Sequence, residues 1–175
     1  QFMSGLIGSD KAKAKHFHST NRFIDDLCTL NDGSLFGKVF SEIYPSELDL
    51  KLEHSGTHGT FLNLDITVMN DIFVYKLYDK RDNFPFSIVR MPHKDSNIPS
   101  SIFYSALVGE FLRIGRSTLL FEDFIPKSKE LISRMIIQGA DMYKVKFALK
   151  RIMLRHQETF SKLRHTIDQI IESVI

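Results

Sequence analysis

The sequence lacks several features that define large classes of proteins. It contains a single cysteine, Cys28, so no disulfide can form within the chain, and we expect an intracellular protein, nuclear or cytoplasmic. No apolar run approaches the ~20 residues of a membrane-spanning helix and no secretory signal is visible, so we expect no membrane partner. The sequence also has no Gly-rich phosphate loop and no recognised nucleophile motif, which argues against P-loop, dinucleotide-binding and nucleophile-dependent enzymes.

What the chain does contain is enough apolar material for a core. Of its 175 residues, 43% are hydrophobic and 25% are charged, which suits one domain or two small subdomains. The net charge of +2 permits nucleic-acid binding without requiring it. Positive charge is concentrated towards the C-terminus, where residues 100–175 hold 12 Lys and Arg against 8 Asp and Glu.

Two adjacent carboxylates, Asp25 and Asp26, stand between short runs of apolar and β-prone residues. This pattern predicts a β-hairpin with its tight turn at residues 24–26, and alternation along the strands lets Phe23 and Leu27 anchor the flanks. Two close carboxylates are costly to ionise unless a cation lies between them, and Mg²⁺ prefers such oxygen ligands. An acidic pair is most often a solvated turn, so its meaning depends on the rest of the chain.

Hydrophobic periodicity predicts a helix and further strands after this hairpin. Helical spacing covers residues 35–43, and Pro45 ends the helix. Alternation of leucines with charged residues predicts a strand over residues 48–52. A second alternating stretch, residues 62–78, is interrupted by an Asn70-Asp71 turn and predicts an antiparallel hairpin.

The rest of the chain carries the periodicity of helices. A helix capped by Ser100 or Ser101 comes first. Two short helices follow, broken near Pro126 and closed by Gly139 as a C-cap. A last helix should run from about Asp141 to the end of the chain, with one apolar stripe at ~100° per residue.

Basic side chains recur on one flank of that last helix. Such a row can follow a nucleic-acid backbone, each neutralised phosphate releasing counterions, or it can be an ordinary solvated face. Phe147 and Leu154 fall off the apolar stripe, so we expect them to pack on another helix, on protein outside this sequence or on a partner chain. The basic row consists of Lys144, Arg151, Arg155 and Lys162.

Two arginines in the first of these helices form a second basic feature. Arg113 and Arg116 are three residues apart and therefore neighbours on one helical face. Paired guanidinium groups match the geometry of phosphate. The open alternative is an ion pair with a nearby carboxylate, for which the candidates are Glu110, Glu122 and Asp123.

The residues around the acidic pair resemble a known family. Phe23-Ile24-Asp25-Asp26, preceded by Arg22, resembles the Asp-Asp box of reverse transcriptases, in the form found in Penelope-like and other non-LTR retroelements. Three more motifs are similar to the family's and follow in its order: a Phe-Leu-Asn-Leu-Asp-Ile run, a strand ending in lysines, and an Arg-Ile-x-Arg signature. They lie at residues 61–66, 72–81 and 113–116. The resemblance spans residues 22 to about 150.

This resemblance implies the fold and the partners. It implies an α+β chain in which a partial polymerase palm, made of antiparallel strands and hairpins with a packed helix, precedes an all-helical thumb. The C-terminal part of the palm would occupy residues 1–82, a connector residues 83–99, and the thumb-like subdomain residues 100–175. An RNA template and a DNA primer would be the partners of the complete enzyme.

The same resemblance implies the site residues. Asp25 and Asp26 would act in catalysis and hold Mg²⁺ or Mn²⁺, with Asp25 the main ligand because the first Asp of the box points at the metals in the family. Phe73 and Tyr75 are candidates to line the primer, although in an ordinary hairpin such aromatics pack inward, and Phe73 is expected in the core. The nucleic-acid contacts implied are Lys76, Lys80, Arg113 and Arg116, and the basic row of the last helix adds Arg151 and Arg155 as candidates.

Two parts of the family pattern are missing from this sequence. A third catalytic Asp on an upstream strand is absent, since Asp10 is a poor substitute, and so is the Gly-containing nucleotide-pocket motif. We therefore expect a longer parent protein, and no polymerisation by this chain unless another segment or chain completes the site. The alternative is a catalytically inactive, retroelement-derived fragment that acts as a structural module or binds a protein through its C-terminal helix.

Overall fold

The computed structural model shows an α+β chain. Its described part contains two small antiparallel sheets and six α-helices. The chain divides into two compact units, residues 1–62 and residues 63–175, and the predicted connector at residues 83–99 lies inside the second unit. The described residues are 15, 17–30, 35–86, 88–89 and 91–175.

The first unit begins with the hairpin that carries the acidic pair. Strands β1 (Thr20–Phe23) and β2 (Asp26–Thr29) pair antiparallel, with Phe23 opposite Asp26. A two-residue loop, Ile24 and Asp25, joins them. The predicted hairpin is confirmed, and Asp26 is the first residue of β2 rather than part of the loop.

A helix and a third strand complete the first unit. Helix α1 (Leu35–Ile43) buries Phe36 and Val39 beside Phe17, and Pro45 follows it as predicted. The strand expected over residues 48–52 is wrong, because these residues form no strand and their leucines are exposed. An alternating pattern forms a strand only where a second strand accepts and donates its backbone hydrogen bonds, and residues 48–52 have no such partner strand in the described part of the chain. Strand β3 is instead His58–Phe61.

The second unit begins with the predicted hairpin. Strands β4 (Leu64–Met69) and β5 (Ile72–Leu77) pair antiparallel in register. Asn70 and Asp71 have φ angles of 50° and 61°, the left-handed values that a two-residue type I′ turn requires. Asn and Asp tolerate this region better than other non-glycine residues, so the turn chemistry agrees with the strand pattern.

Five helices form the core of the second unit. Helix α2 packs on α3, α4 and α5, while α6 packs on α3 and α4. Their bounds are α2 Ser100–Ser117, α3 Phe121–Ile137, α4 Met142–Arg155, α5 Gln157–Phe160 and α6 Ile167–Val174. No helix in the described ranges is both long enough and apolar enough to cross a membrane.

Two of the predicted helix boundaries are wrong and one is confirmed. Helix α2 starts directly after Pro99, and no side chain caps it. Helix α3 runs through Pro126, an exposed residue in its second turn, where the ring nitrogen cannot donate the usual helical hydrogen bond. Gly139 closes α3 with φ +86°, and Ala140 N–H donates to Met135 O at 2.9 Å, as in a Schellman motif.

The prediction of a single last helix is also wrong, because the helical structure is interrupted twice after residue 155. Helix α4 ends at Arg155 with His156 as its C-cap, and Arg164 adopts a left-handed φ of 55° before α6. Thr166 and Gln169 form a capping box that starts α6. Between the breaks, Phe160 enters the core and stacks on Phe111 with 5.5 Å between ring centroids.

Gly115→Ala tests how tightly this ring is packed. A Cβ at residue 115 would lie 2.6 Å from Cε1 of the buried Phe160 ring, so we expect the free energy of unfolding to fall by about 1–3 kcal/mol in urea denaturation. Gly109→Ala is the matched control on the same helix, because nothing lies within 4 Å of its Cβ. It should gain about 0.5–1 kcal/mol from helix propensity. Equal effects of the two changes would contradict the close packing.

Candidate functional site

The hairpin of the first unit presents both acidic side chains to solvent. Asp25 occupies the second loop position and Asp26 opens β2, and both residues are exposed. Phe23, expected to anchor the flank, is 54% exposed, so that expectation is wrong. Leu27 is half-buried against the core cluster of this unit and does anchor the hairpin. Of the two flanking apolar residues, Leu27 on β2 therefore anchors the hairpin and Phe23 on β1 does not.

The loop that carries Asp25 contains a strained residue. Ile24 has φ +56°, a left-handed conformation that costs a non-glycine residue about 1–2 kcal/mol and is most unusual for a β-branched side chain. The turn at Asn70 and Asp71 also has positive φ angles, but Asn and Asp tolerate them better than a β-branched residue does. Strain of this kind persists where surrounding contacts enforce it, and it is concentrated at functional sites.

Arg22 supplies contacts that enforce the turn. Its Nε donates to Ile24 O at 2.8 Å, and its Nη1 donates to the Tyr44 hydroxyl at 3.1 Å. The guanidinium carbon also lies 5.1 Å from the centroid of the Tyr44 ring, which stacks on Phe40 of α1. The turn is thereby tied to the aromatic core of its unit. No sequence motif identified Tyr44 as part of this site.

The donor chemistry of the tip fits a hard cation. Two carboxylates offer oxygen ligands of the kind that Mg²⁺ and Mn²⁺ prefer. Within the described part of the chain, no group of three or more His, Cys, Asp and Glu side chains is arranged to hold a metal ion. Asp25 and Asp26 could thus supply part of a metal site. The nearby Cys28 offers no thiolate at neutral pH, because burial raises the pKa of its thiol.

The hairpin of the second unit holds the residues expected along a primer. Lys76 is exposed and pairs across the strands with Asp65 at 3.7 Å, and Lys80 is exposed at the start of a 3-10 turn (Lys80–Asn83). Phe73, expected in the core, is 42% exposed, so that expectation is wrong. It lies next to the turn, whereas Leu77 at the other end of β5 is the residue that enters the helical core.

Tyr75 is joined to the helices by a lysine expected elsewhere. Lys162 Nζ lies 5.2 Å from the centroid of the Tyr75 ring and donates to Arg116 O at 3.1 Å. Lys162 was expected in one row with Lys144, Arg151 and Arg155, and this is wrong because the helix ends at Arg155. Lys162 instead stabilises the C-terminal end of α2, where carbonyl groups lack helical partners.

Arg113 makes the ion pairs that sequence reasoning left open. Its guanidinium donates to both oxygens of Glu110, at 2.5 and 2.9 Å, and lies 3.5 Å from the buried Asp79 carboxylate. The hydrogen bonds to Glu110 raise the pKa of Arg113. Arg81 also donates to Asp79, at 2.8 Å through each of two nitrogens. By contrast, Arg116 lies exposed in the last turn of α2.

Arg151 and Arg155 lie together on the exposed side of α4. They are one helical turn apart, and Lys144 lies on the same flank at ~100° per residue. Phe147 and Leu154, which fall off the apolar stripe, are largely exposed, so no other helix of the described part of the chain covers them. Helix α4 therefore presents cations and apolar side chains side by side.

Comparison with protein-family models, with curated proteins and with solved structures finds no match for this chain. The resemblance to reverse transcriptases therefore stays a prediction. Support for a function comes from the acidic hairpin of the first unit and from the exposed cations of the second.

Paired substitutions separate the roles of the two arginines on α2. Arg113→Gln removes a partner from Glu110 and from the buried Asp79, so we expect the free energy of unfolding to fall by about 2 kcal/mol in urea denaturation. Arg116→Gln, the matched exposed control, should change it by less than about 0.5 kcal/mol. A stable Arg113→Gln variant would contradict the structural role of that guanidinium.

Proposed function

We propose that this chain is the C-terminal portion of an RNA-directed DNA polymerase, to which it contributes a metal-binding Asp-Asp hairpin and contacts to primer and template. One observation carries the proposal: two adjacent, exposed carboxylates lie at a hairpin tip whose strained turn is held by Arg22. A merely solvated turn needs neither a β-branched residue at positive φ nor a guanidinium bound to its carbonyl.

The chemistry of nucleotide addition explains why such a tip is useful. When bound, divalent ions stabilise the charge on the attacking and leaving oxygens of the phosphoryl transfer. Asp25 is the residue that would bind such an ion first, with Asp26 beside it. Arg22 fixes the loop carbonyl next to Asp25 and so limits the positions that the carboxylate can take. These two carboxylates do not form a complete two-metal site, so the remaining ligand must come from another segment or chain.

The exposed cations of the second unit would serve the nucleic acid. Lys80 and Arg116 are exposed, and Lys76 keeps a half-exposed side chain despite its pairing with Asp65. Each cation that neutralises a phosphate releases condensed counterions, which makes binding strongly salt-dependent. Arg113 stabilises the fold beneath this surface and does not bind phosphate itself, because its guanidinium is paired with Glu110 and Asp79.

Substitution of the acidic pair tests the metal site. We expect the purified chain to bind Mn²⁺ weakly, with a dissociation constant of about 1 mM, as measured by the loss of the free-ion signal in electron paramagnetic resonance. Asp25→Asn should weaken binding by about tenfold, because one of two adjacent oxygen ligands loses its charge.

Asp71→Asn is the matched control for this experiment. Asp71 is also exposed and, like Asp25, occupies the second position of a two-residue hairpin loop, but no second carboxylate stands next to it in the chain. Its substitution should leave Mn²⁺ binding unchanged. Equal binding by wild type and Asp25→Asn, or an equal loss in both variants, would remove the support for a metal site at the first hairpin.

Binding to an RNA–DNA hybrid tests the second part of the proposal. The double variant Lys80→Gln/Arg116→Gln should bind more weakly, and the slope of log K against log salt should decrease in magnitude by about 2, one per lost phosphate contact. Lys129→Gln, an exposed neutralisation on α3, should change neither affinity nor slope. A salt slope that Lys80→Gln/Arg116→Gln leaves intact would contradict these contacts.

A further inference from the structure

Helix α4 carries a second apolar face that is open to solvent. Its first apolar face, with Val145, Leu149 and Ile152, is buried in the core of the second unit. On the outside, Tyr143, Phe147 and Leu154 are 80%, 61% and 52% exposed. Spacings of four and seven residues place these three side chains in one stripe along the helix. An exposed aromatic and aliphatic stripe of this kind marks an interaction surface.

Cations bracket this outer stripe on both sides. At ~100° per residue, Lys146 and Lys150 lie on one flank of the stripe. Lys144, Arg151 and Arg155 lie on the opposite flank. The helix from Met142 to Arg155 contains no carboxylate. All five cations belong to exposed residues: Lys144, Lys146, Lys150, Arg151 and Arg155.

One flank of this surface already binds a carboxylate from a neighbouring helix. Lys150 Nζ donates to Asp168 Oδ1 at 2.8 Å, and Asp168 lies in the first turn of α6, which packs on α4. This hydrogen bond lowers the pKa of Asp168. An acidic side chain presented by a helix beside α4 is therefore within reach of these lysines. On the opposite flank, Arg151 and Arg155 face solvent in the same way as Lys150.

We propose that the outer face of α4 binds an acidic amphipathic helix of a protein partner. Such a helix offers apolar side chains to the central stripe and carboxylates to both basic flanks, so it complements the arrangement of apolar and basic side chains on α4. A phosphate backbone would neutralise the cations but leave Phe147 and Leu154 in water. The stripe from Tyr143 to Leu154 extends about 16 Å, or three helical turns, which suits a short partner helix.

This assignment takes Arg151 and Arg155 away from the nucleic-acid surface inferred from the sequence. It does not rest on the proposed polymerase function, because no residue of the first unit and neither Lys80 nor Arg116 takes part. The hairpin could lack a metal and α4 would still present the same surface. The two proposals therefore fail or stand in separate experiments.

Fluorescence anisotropy with a labelled peptide tests the partner assignment. The probe is a synthetic amphipathic helix with Leu on one face and Glu on both flanks of that face. We expect the full chain to bind it with a dissociation constant of about 10 µM and to lose affinity as salt is raised. Phe147→Ser/Leu154→Ser should weaken binding by about tenfold or more, because the central contacts are lost. Arg151→Gln/Arg155→Gln should weaken it and flatten its salt dependence.

Control variants and alternative ligands show which class of molecule binds the outer face of α4. Ile102→Ser, which replaces an apolar side chain that is 56% exposed on α2, should leave peptide binding unchanged. Circular dichroism checks that each variant keeps its helices. The same variants are titrated with a single-stranded RNA and with vesicles of phosphatidylcholine and phosphatidylserine in a two to one ratio. The proposal is overturned if the peptide does not bind, if Phe147→Ser/Leu154→Ser leaves its affinity unchanged, or if RNA or vesicles alone show the Phe147 and Leu154 dependence.

Discussion

The contact between the Phe160 ring and Gly115 sets the arrangement of the second unit. The ring stacks on Phe111 and meets the edge of Phe124, so it joins α2 and α3 from a segment far along the chain. This position requires a residue without a side chain at 115 and a chain that turns inward after α4. The end of α4 at Arg155 is therefore a consequence of core packing. The same helix end sets the C-terminal limit of the outer face of α4.

Local signals in the sequence were enough to predict most elements of the fold. Pro45, Gly139 and the Asn70-Asp71 turn each act on their own backbone, so the boundaries they mark were confirmed. The break after α4 was missed because the apolar period continues across His156 into α6. Thr166 and Gln169 carry a capping-box signal that would have located the start of α6. The inward turn at Phe160 depends on Gly115, and no local pattern shows that contact.

The candidate site divides in the same way between local and distant causes. A hairpin bearing Asp25 and Asp26 follows from alternation and turn length. The contacts that fix its loop do not follow from these local signals, because Arg22 donates to the hydroxyl of Tyr44, 22 positions further along the chain. For Arg113, the pairing with Glu110 at i−3 was readable as an alternative, whereas its contact with the buried Asp79 spans 34 positions. Sequence periodicity identifies which side chains share a face, but only the fold shows which cations are already paired.

Pairing within the second unit determines where its positive charge can act. A network of carboxylates binds cations from the 3-10 turn, α2 and α3, and Lys127, for example, contacts Asp82 at 2.5 Å and Glu130 at 3.3 Å. Those charges hold the fold together and largely cancel at a distance. Helix α4 itself contains no carboxylate, and Asp168 of α6 contacts Lys150. Positive charge on α4 therefore lies beside an exposed apolar stripe, and this combination is the basis for the proposed acidic, amphipathic partner.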